Sequence, residues 1–530
     1  MNHLSHDDEH VPVLVVGGSL VGLSMALFLS KLGIPSLLVE RHAGVSPFVR
    51  AGGFNSRTLE IYRSVGLEPA LREAAPEAFK EMKIVRVETL AGRELGIFLE
   101  NSSEYAMAAS PLRGSIIPQN LLEPLLREHA RTLGADLRFG TECVSFEQHT
   151  DGVSAVIRDL ASGQERRVRS SYLVAADGNR SPIGKELGID AQGPGTLAYQ
   201  MNILFRADLR APLRGRRLLA CYVASVQGLY AGDEDGGLLS VAYDPEKESE
   251  HDFLGERGIE VVRTAMGVPD LSVEILGTRT WEMADRLADH FQQGSVFLAG
   301  DAAHVMPPTG AYGANTGIAD AHNLAWKLAF VLKGKAGTGL LETYEPERRA
   351  ASRLAMEQAL LHYVERLHPE RAAQASVEKI AYDIPIFGYI YHSAAVLSED
   401  TALYEDPQSP SGRPGTRAPH VALERDGKPL SILDLFGHDF VLLIGAEGAD
   451  WHEAAEACAQ RLGIALDTYR VGADILDIDG CFGSRYGIAP SGATLVRPDG
   501  FIAWRVQEAS QPPVQELSQV LTQVLCRKLP

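Results

Sequence analysis

The chain has 530 residues, which is too long for one hydrophobic core and predicts two or three domains. Hydrophobic residues make up 45% and charged residues 22%, as in soluble globular proteins, and the net charge of −19 disfavours nucleic acid and anionic membranes as partners. The five cysteines are widely separated and form no CxxC pair, which indicates a reducing cytoplasm and argues against a structural zinc site.

The N-terminal region begins with a polar segment, Met1–His10, that has no basic stretch and is therefore not a signal peptide. Residues 11–30 carry no charge and are long enough to span a bilayer. Three glycines interrupt this stretch and its hydrophobic period changes midway, which predicts a buried strand, a tight turn and a helix instead. Gly33 then ends the helix and Pro35 prevents its continuation.

A second strand, Ser36–Val39, leads to Glu40, which lies 23 residues after Gly17. This spacing is typical of dinucleotide binding, where a helix start faces the pyrophosphate and an acidic side chain accepts from the ribose hydroxyls. Ser19 replaces the middle glycine of the G-x-G-x-x-G pattern, and the motif alone also fits a glycine turn in any α/β protein. The residues predicted to contact the cofactor here are Gly17, Gly18, Ser19, Leu20, Val21, Gly22, Glu40 and Arg41.

Two more apolar strands end in small-residue turns of the same design. Tyr172–Ala176 precedes Asp177-Gly178, and Val296–Ala299 precedes Gly300-Asp301. Buried parallel strands are continuous apolar runs of this kind, and ligands bind beyond their carboxyl ends. A single nucleotide site would therefore have to bring three distant segments together.

The rest of the chain predicts two further domains. Strand-like stretches between Met82 and Leu99 and from Ala198 to Trp281 predict a mostly antiparallel domain inserted twice into the first. A stretch rich in proline, glycine and serine, Asp406–Pro419, marks a boundary before a third domain of βαβ type. The predicted ranges are 1–80, 110–190 and 285–400 for the first domain, 81–109 and 191–284 for the second, and 410–530 for the third.

The turns after Tyr172–Ala176 and Val296–Ala299 resemble those of the class A flavoprotein monooxygenases. This is the family of para-hydroxybenzoate hydroxylase, phenol hydroxylase and the aromatic polyketide hydroxylases. Tyr172–Ser181, YLVAADGNRS, resembles the Asp-Gly motif of the family, and Gly300–Gly310, GDAAHVMPPTG, resembles its Gly-Asp motif. The resemblance implies a Rossmann-like FAD-binding domain, bound FAD, and NADPH or NADH and O2 as co-substrates. It also implies that Asp177 touches FAD and the nicotinamide cofactor and that Asp301, after Gly300, binds a ribityl hydroxyl.

Other residues match the family at single positions. Arg50 and Gln119 match positions that contact FAD, and Pro307 is expected beside the C4a edge of the flavin. The helical spacing of Ile318, Ala321, Ala325, Leu328 and Leu332 predicts a helix that begins near Asn315, directly after Gly313-Ala314. Its free N–H groups and positive dipole end can stabilise the reduced flavin, so Gly313, Ala314 and Asn315 are predicted cofactor contacts, with Pro307, Gly313 and Asn315 as the catalytic set.

The implied reaction is hydride transfer to FAD followed by oxygen transfer from a flavin C4a-hydroperoxide to a phenol carbon. The cofactor supplies this chemistry, which agrees with a sequence that offers no metal cluster and no Ser-His-Asp set. His304 is predicted to be architectural because of its place after the Gly-Asp motif. The candidates for substrate contact in the middle domain are Met201, Tyr230, Tyr243 and Trp281.

Within the family, the chain most resembles hydroxylases of polycyclic aromatic polyketides such as aklavinone hydroxylase. The stretches that carry this resemblance are Gly412–Gly415, Asp434–Gly437, Val496–Gly500 and Ala503–Arg505. It implies a thioredoxin-like third domain, which lacks CxxC here and so has a structural role or serves as an interaction surface. Relatives often carry arginine, a candidate substrate contact, where Ile390 stands, so the substrate itself stays open.

Two alternatives to aromatic hydroxylation remain open. The same intermediate supports Baeyer-Villiger insertion or epoxidation, because the electronics of the substrate decide the outcome. A flavoprotein that sequesters an aromatic drug is the alternative of a different class. The predicted partner is a small aromatic molecule, with neither nucleic acid nor membrane, and the protein is predicted to be a monomer or a homodimer.

Overall fold

The computed structural model describes residues 8–44, 51–75, 82–99, 109–368, 377–398, 400–509 and 512–527. Its first sheet is built around a buried strand, Glu9–Val16, which pairs in parallel with Ser36–Glu40 on one side and Glu165–Ala175 on the other. The remaining parallel strands extend the sheet in both directions. Its main path runs in the order Gln292–Gln293, Val296–Leu298, Glu165–Ala175, Glu9–Val16, Ser36–Glu40 and Asp136–Phe139, with Thr141–His149 and Gly152–Asp159 attached.

Helices cover this sheet and enclose an apolar core. The uncharged stretch near the N-terminus forms the strand Glu9–Val16 and the helix Leu20–Lys31, as the sequence predicted. Among the described residues, no helix combines the length and the apolar composition that crossing a membrane requires. The α-helices of this part are Leu20–Lys31, Ser56–Ser64, Glu68–Ala74, Gln119–Thr132, Pro182–Glu186, Tyr312–Leu332 and Tyr344–Leu367, with a short strand pair Gly53–Phe54 and Ser115–Ile116.

The second sheet has eight strands and is antiparallel except where Leu218–Val223 pairs with Lys83–Val87. Two long strands, Ala191–Arg206 and Glu274–Ala288, run toward the first sheet, where His304–Val305 pairs with the end of the second one. The strand order is His304–Val305, Glu274–Ala288, Ala191–Arg206, Gly236–Ala242, Gly228–Asp233, Leu218–Val223, Lys83–Val87 and Glu94–Leu99. The helix Glu256–Met266 packs on one face of the sheet and closes a separate apolar core.

The third part contains the predicted βαβ unit. Phe440–Ile444 and Leu466–Arg470 pair in parallel and are joined by the helix Ala449–Leu462. The other elements are strands Ala493–Val496, Ile502–Val506, Ala422–Arg425, Lys428–Ser431 and Leu476–Asp477, and helices Phe482–Tyr486 and Pro513–Val524. Each of the five cysteines is free. The unit packs on the first part through Phe440, whose ring lies 5.8 Å from that of Trp326 and 5.6 Å from that of Phe330.

The α/β architecture, with an inserted antiparallel sheet and a C-terminal βαβ unit, is the fold class that the sequence predicted. The physical reason is the apolar pattern: strands buried on both faces are continuously apolar, whereas the inserted strands alternate. The fold places the carboxyl ends of the central parallel strands at one edge of the first sheet, close to the second sheet.

Candidate active site

The turns after the three central parallel strands meet at one edge of the first sheet. Val16 is paired with Ala175, which in turn is paired with Leu298, so the three strands end side by side. Gly17 has a φ of +110° and packs so closely on the next turn that an added methyl group would overlap the carbonyl oxygen of Ala176. The structure therefore brings Gly17, Asp177 and the Gly300 turn together, as a single nucleotide site requires.

Glu40 lies against the first glycine turn. The backbone N–H of Gly18 donates to Glu40 Oε2 at 2.7 Å, and an added Cβ at Gly18 would lie 2.6 Å from the Cβ of Glu40. The other oxygen, Oε1, accepts from the backbone N–H of His42 at 2.8 Å. His42 Nδ1 also lies 2.7 Å from Oε1, so three of about four acceptor positions of the carboxylate are occupied and one is left for a ribose hydroxyl.

Ser19, the departure from the glycine pattern, is turned away from its own helix. Its hydroxyl donates to Glu123 Oε1 at 2.7 Å and accepts from Gln119 Nε2 at 3.0 Å. The N–H groups of residues 20–22, at the start of the helix, have no acceptor four residues earlier and can hold a pyrophosphate. Ser19 thus links the turn to Gln119, and its side chain does not fill the phosphate position.

Arg127 is a residue of this region that the sequence reasoning missed. It lies over the ring of Phe139 at 3.5 Å, and its Nε is buried without a hydrogen-bond partner among the described residues. Burial lowers the pKa of its guanidinium, while the nearby carboxylates of Glu123 and Glu40 act in the opposite sense. An unpaired buried donor beside Glu40 fits an anionic cofactor. The four-residue spacing from Glu123 on the helix that starts at Gln119 was the available signal.

Asp177 has one oxygen in use and one available. Its Oδ2 accepts from the backbone N–H of Ile183 at 2.9 Å, at the start of the helix Pro182–Glu186. Its Oδ1 is buried without a partner among the described residues, and burial raises the pKa of the carboxyl group. A buried acceptor beside Gly17 suits a hydroxyl or N–H group of a bound cofactor. Of the other predicted cofactor residues, Arg41 is exposed and Arg50 lies outside the described residues.

A buried charged network holds the Gly300 turn. The backbone N–H of Gly300 donates to Asp320 Oδ2 at 3.0 Å, and His304 Nε2 lies 2.7 Å from the same oxygen. Arg348 Nε donates to Asp320 Oδ1 at 2.8 Å. Burial alone would raise the pKa of Asp320, but the charges of His304 and Arg348 outweigh it and hold that pKa below its ordinary value. His304 is therefore part of the architecture, since its Nε2 is committed to Asp320.

Asp301 is the exposed residue of the turn Gly300–Ala302, whose other two residues are buried and which this network supports. The family resemblance implies a ribityl contact for Asp301, so we expect Asp301→Ala to lose most of its FAD occupancy while its free energy of unfolding stays within about 0.5 kcal/mol of that of the original protein, because exposed positions contribute little to stability. The ratio of flavin to protein absorbance after gel filtration and the denaturant midpoint measure the two effects. Asp270→Ala, an exposed aspartate after the helix Glu256–Met266, is the control. Full FAD occupancy in Asp301→Ala would show that the ribityl contact lies elsewhere.

The helix that is predicted to face the flavin begins at Tyr312, three residues before the predicted start near Asn315. The prediction was wrong because Ala311, although not glycine, adopts a φ of +56° and starts the helix there. Gly313 and Ala314 consequently lie in the first turn, where N–H groups have no intrahelical acceptor. Pro307 is buried in the segment that leads into this turn.

Asn315 ties the helix start to its surroundings with both ends of its amide. Its Oδ1 accepts from the backbone N–H of Asn55 at 3.1 Å and from Thr58 Oγ1 at 2.6 Å. Its Nδ2 donates to the carbonyl oxygens of Gly53 at 3.0 Å and Ala311 at 2.6 Å. Because the amide is fully used by the protein, Asn315 positions the first turn of the helix, and its predicted place in the catalytic set is corrected to that role.

Three of the four predicted substrate contacts lie on the face of the second sheet that the helix Glu256–Met266 covers. Met201 and Tyr230 are fully buried in the core beneath the helix Glu256–Met266, and Tyr243 packs against the same core. The hydroxyl of Tyr230 donates to the carbonyl oxygen of Gly236 at 2.9 Å, which leaves it a core residue. Trp281 lies on the other face, where its Nε1 donates to Asn202 Oδ1 at 2.8 Å. We therefore remove Met201, Tyr230 and Tyr243 from the candidate set.

The opposite face of the sheet offers candidates that the sequence reasoning missed. Tyr222 alternates with the core residues Cys221 and Val223, and its hydroxyl accepts from Arg366 Nη1 at 3.2 Å. The guanidinium of Arg366 also lies 5.4 Å from the ring centroid of Phe98. One helical turn earlier on the same helix, His362 stacks on the ring of Tyr312 at 6.3 Å. A line of aromatic and basic side chains thus joins the start of the helix Tyr312–Leu332 to the second sheet.

Asp285 lies on the same face as Trp281, next to Arg286, which pairs with Val305. It is 5% exposed, and burial, with a smaller effect of Glu357, raises the pKa of its carboxyl group from 3.8 to about 6. Because the pKa of Asp285 is higher in the folded than in the unfolded protein, its protonated carboxyl group contributes fully to stability below pH 3.8. This contribution is lost as the pH rises through about 6. The shift corresponds to about 3 kcal/mol of lost stability above that pH.

We therefore expect Asp285→Asn to be more stable than the original protein at pH 7.5, by up to about 3 kcal/mol, and to show little gain at pH 4. Denaturant unfolding of both proteins at the two pH values measures the difference. An equal change at both pH values would mean that the ionisation of Asp285 is not responsible.

Comparisons with known proteins identify the family of this chain. The family described as FAD binding domain matches residues 10–359, and the family described as aromatic-ring hydroxylase, C-terminal, matches residues 411–527. The 4-methyl-5-nitrocatechol 5-monooxygenase of Burkholderia sp is 47% identical and shares 98% of either chain. The aklavinone 12-hydroxylase of Streptomyces purpurascens is 41% identical, over 98% of this chain and 100% of its own.

Similar solved structures extend the agreement to the fold. The crystal structure of aklavinone-11 hydroxylase in a ternary complex with FAD and aklavinone has a TM-score of 0.91 and 40% identity, and the match covers 98% of this chain and 100% of that one. The structure of the flavin-dependent monooxygenase PieE with FAD and substrate has a TM-score of 0.87 at 32% identity, over 98% of this chain and 100% of that one. With two family matches and relatives of this similarity along its length, the chain belongs to the FAD-dependent aromatic-ring hydroxylases and is a flavoprotein monooxygenase.

Proposed function

We propose that this enzyme uses NADPH or NADH and O2 to hydroxylate a phenolic aromatic ring, with FAD bound where the three strand ends meet. The observation that carries the proposal is the convergence of the Gly17, Asp177 and Gly300 turns beside the start of the helix Tyr312–Leu332. Bound FAD supplies the redox chemistry, from hydride acceptance to the transfer of one oxygen atom to the ring. The protein supplies binding, orientation and charge.

The first turn of the helix Tyr312–Leu332 stabilises negative charge. The N–H groups of Gly313 and Ala314 and the positive end of the helix dipole favour an anionic isoalloxazine. Asn315 holds this turn in place through its four hydrogen bonds. Pro307, buried just before the helix, shapes the wall of the cavity and excludes water.

Arg366 and Tyr222 are proposed to hold the phenolic hydroxyl of the substrate. The guanidinium lies 3.2 Å from the Tyr222 hydroxyl and against the rings of Phe98 and Tyr222, so it is fixed in direction. A positive charge beside a phenol favours the phenolate, whose ring carbons are more electron-rich and react more readily with an electrophilic oxygen. The aromatic neighbours suit a flat ring.

This assignment gives a specific prediction for Arg366→Met. We expect kcat/KM for a phenolic substrate to fall by roughly a hundredfold, as for other lost charge contacts to a developing anion, with FAD occupancy unchanged. Tyr222→Phe keeps the ring and removes the hydroxyl. Its kcat/KM should fall by about tenfold, because the change removes one hydrogen bond to a charged group. Stopped-flow measurement of substrate-stimulated flavin reduction and product yield gives both values. Unchanged kinetics in Arg366→Met would place the substrate hydroxyl elsewhere.

For the substrate we propose a polycyclic, polyketide-type phenol. The solved structure of 0.91 TM-score was determined with aklavinone, and that match covers almost the whole chain. Ile390 stands where relatives often carry arginine. It is buried against Gly415 at the junction with the third domain, so an arginine at this position would not belong to the proposed phenol site. A monocyclic catechol is the second candidate, because the 47% identical relative is named for 4-methyl-5-nitrocatechol.

One experiment tests the function and separates the two substrate classes. The purified protein is examined for a flavin spectrum, and NADPH and NADH oxidation is followed with aklavinone and with 4-methyl-5-nitrocatechol. Mass spectrometry of products formed under ¹⁸O2 then shows whether the added oxygen is on a ring carbon, in a lactone or in an epoxide. A colourless protein without FAD affinity contradicts the proposal, and oxidation of the nicotinamide cofactor without any product favours a protein that sequesters its ligand.

A further inference from the structure

The turn Arg497–Gly500 of the third domain projects into the FAD-binding domain. It connects the strands Ala493–Val496 and Ile502–Val506, and the side chains of Arg497 and Asp499 are buried. Arg497 donates from both terminal nitrogens to Glu347, at 2.6 and 2.8 Å. Asp499 Oδ2 accepts from Asn323 Nδ2 at 3.2 Å, so both side chains reach across the domain boundary.

The backbone of the same turn makes a second crossing. The carbonyl oxygen of Asp499 accepts from Arg57 Nη2 at 2.7 Å. Arg57 belongs to the helix Ser56–Ser64, which is tied by Thr58 to Asn315 at the start of the flavin-facing helix. The turn is therefore connected to the helix Tyr312–Leu332 at two points. One is Asn323 in the middle of the helix, and the other is Asn315 in its first turns.

A chain of buried contacts continues from the turn to the Gly300 motif. Arg348, next to Glu347, donates to Tyr391 Oη at 2.9 Å and to Asp320 Oδ1 at 2.8 Å. The ring of Tyr391 stacks on Phe501, directly after the turn, with 4.1 Å between the centroids. Asp320 in turn accepts from the backbone N–H of Gly300. The third domain thus contacts the supports of both flavin-binding segments.

Charged groups are an expensive way to dock two domains. The apolar contact of Phe440 with Trp326 and Phe330 already joins them, and replacing a buried ion pair by apolar residues is often neutral or stabilising. Separating the members of a buried ion pair leaves an uncompensated buried charge, so an intact pair resists changes in its geometry. The placement of these charges next to the cofactor supports points to a role beyond docking.

We propose that the Arg497–Gly500 turn positions the flavin site: the third domain, which has no redox dithiol, sets the geometry of the Gly300 turn and of the first turn of the helix Tyr312–Leu332. Arg497 is the main positioning residue, since it is fixed by Glu347 and lies 5.4 Å from the ring of Tyr391. The domain is then a component of the active site although none of its residues is assigned to the substrate.

The test uses Arg497→Lys in the full chain, which keeps the charge but cannot reproduce the forked donation to Glu347. We expect the dissociation constant of FAD to rise by roughly tenfold, with an altered visible circular dichroism spectrum of the flavin at saturating FAD. Arg470→Lys is the matched control, because Arg470 makes a solvent-exposed ion pair with Asp474 in the same domain. The control should remain within about twofold of the original protein for FAD binding.

A purely structural contact gives a different result. If Arg497→Lys lowers the melting temperature but leaves the FAD dissociation constant and the visible circular dichroism unchanged, the turn only docks the domain and the proposal is overturned. If Arg497→Lys does not fold, Tyr391→Phe replaces it, because this variant keeps the ring stack and removes only the hydroxyl that accepts from Arg348. We expect Tyr391→Phe to raise the FAD dissociation constant by about threefold to fivefold, and no change would equally overturn the proposal.

Discussion

Asp320→Ala is expected to lose FAD and to be destabilised by about 3–5 kcal/mol, because it leaves the buried guanidinium of Arg348 without its partner. The same change removes the acceptor for the backbone N–H of Gly300 and for His304. The Gly300 turn would then lose its support, so flavin binding and stability should fall together. Equilibrium unfolding in urea and the ratio of flavin to protein absorbance measure the two effects.

Asp474→Ala is the matched control for that experiment, because Asp474 pairs with Arg470 at the surface. An exposed ion pair contributes about 0–1 kcal/mol, so the control should unfold almost like the original protein and keep its FAD. Asp320→Asn adds a finer comparison, since it keeps one acceptor oxygen and removes the charge. If Asp320→Ala remained as stable as the control and fully loaded with FAD, the buried network would not support the site.

Gly17→Ala is expected to abolish FAD binding, with the dissociation constant raised by roughly a hundredfold or more. Gly17 has a φ of +110°, and the added methyl group would overlap the carbonyl oxygen of Ala176. Strain of this kind amounts to about 1–3 kcal/mol. Its relief requires the Gly17 turn to move away from the Ala176–Asp177 turn, although both turns must face the same cofactor. Fluorescence titration of the apoprotein with FAD measures the change.

Gly163→Ala separates the backbone strain from the loss of the site. Gly163 also has a positive φ, +71°, but it lies in a turn between two strands, and an added Cβ would meet no atom within 4 Å. We expect a destabilisation of about 1 kcal/mol and normal FAD binding for this variant. Equal FAD affinity in Gly17→Ala and Gly163→Ala would remove Gly17 from the cofactor site.

The glycine turn after the first strand could be predicted from the sequence because its determinants are local. A glycine that must adopt a positive φ, a strand buried on both faces and an acidic residue at a fixed spacing are encoded within about 25 residues. The βαβ unit of the third domain is also local, since Phe440–Ile444, the helix Ala449–Leu462 and Leu466–Arg470 follow one another directly. These elements agree with their predictions.

The substrate face could not be predicted in the same way. Strand alternation shows that Met201 and Asn202 point in opposite directions, but it does not show which direction leads to the flavin. That choice depends on the helix Glu256–Met266, which covers the face of Met201, Tyr230 and Tyr243. The contact between Tyr222 and Arg366 joins residues 144 positions apart and has no local signal.

Local sequence patterns were sufficient to predict the glycine turns after the central parallel strands, the helices and strands around them and the C-terminal βαβ unit, because each depends on neighbouring residues. The role of Asp320, Asn323 and Lys327 depends on tertiary contacts, because these residues form the polar face of an amphipathic helix in the sequence and yet are all buried. The helix Tyr344–Leu367 and the Arg497–Gly500 turn cover that face with matching charges. Periodicity identifies a polar face, but whether water or another charged surface lies against it depends on contacts between distant parts of the chain.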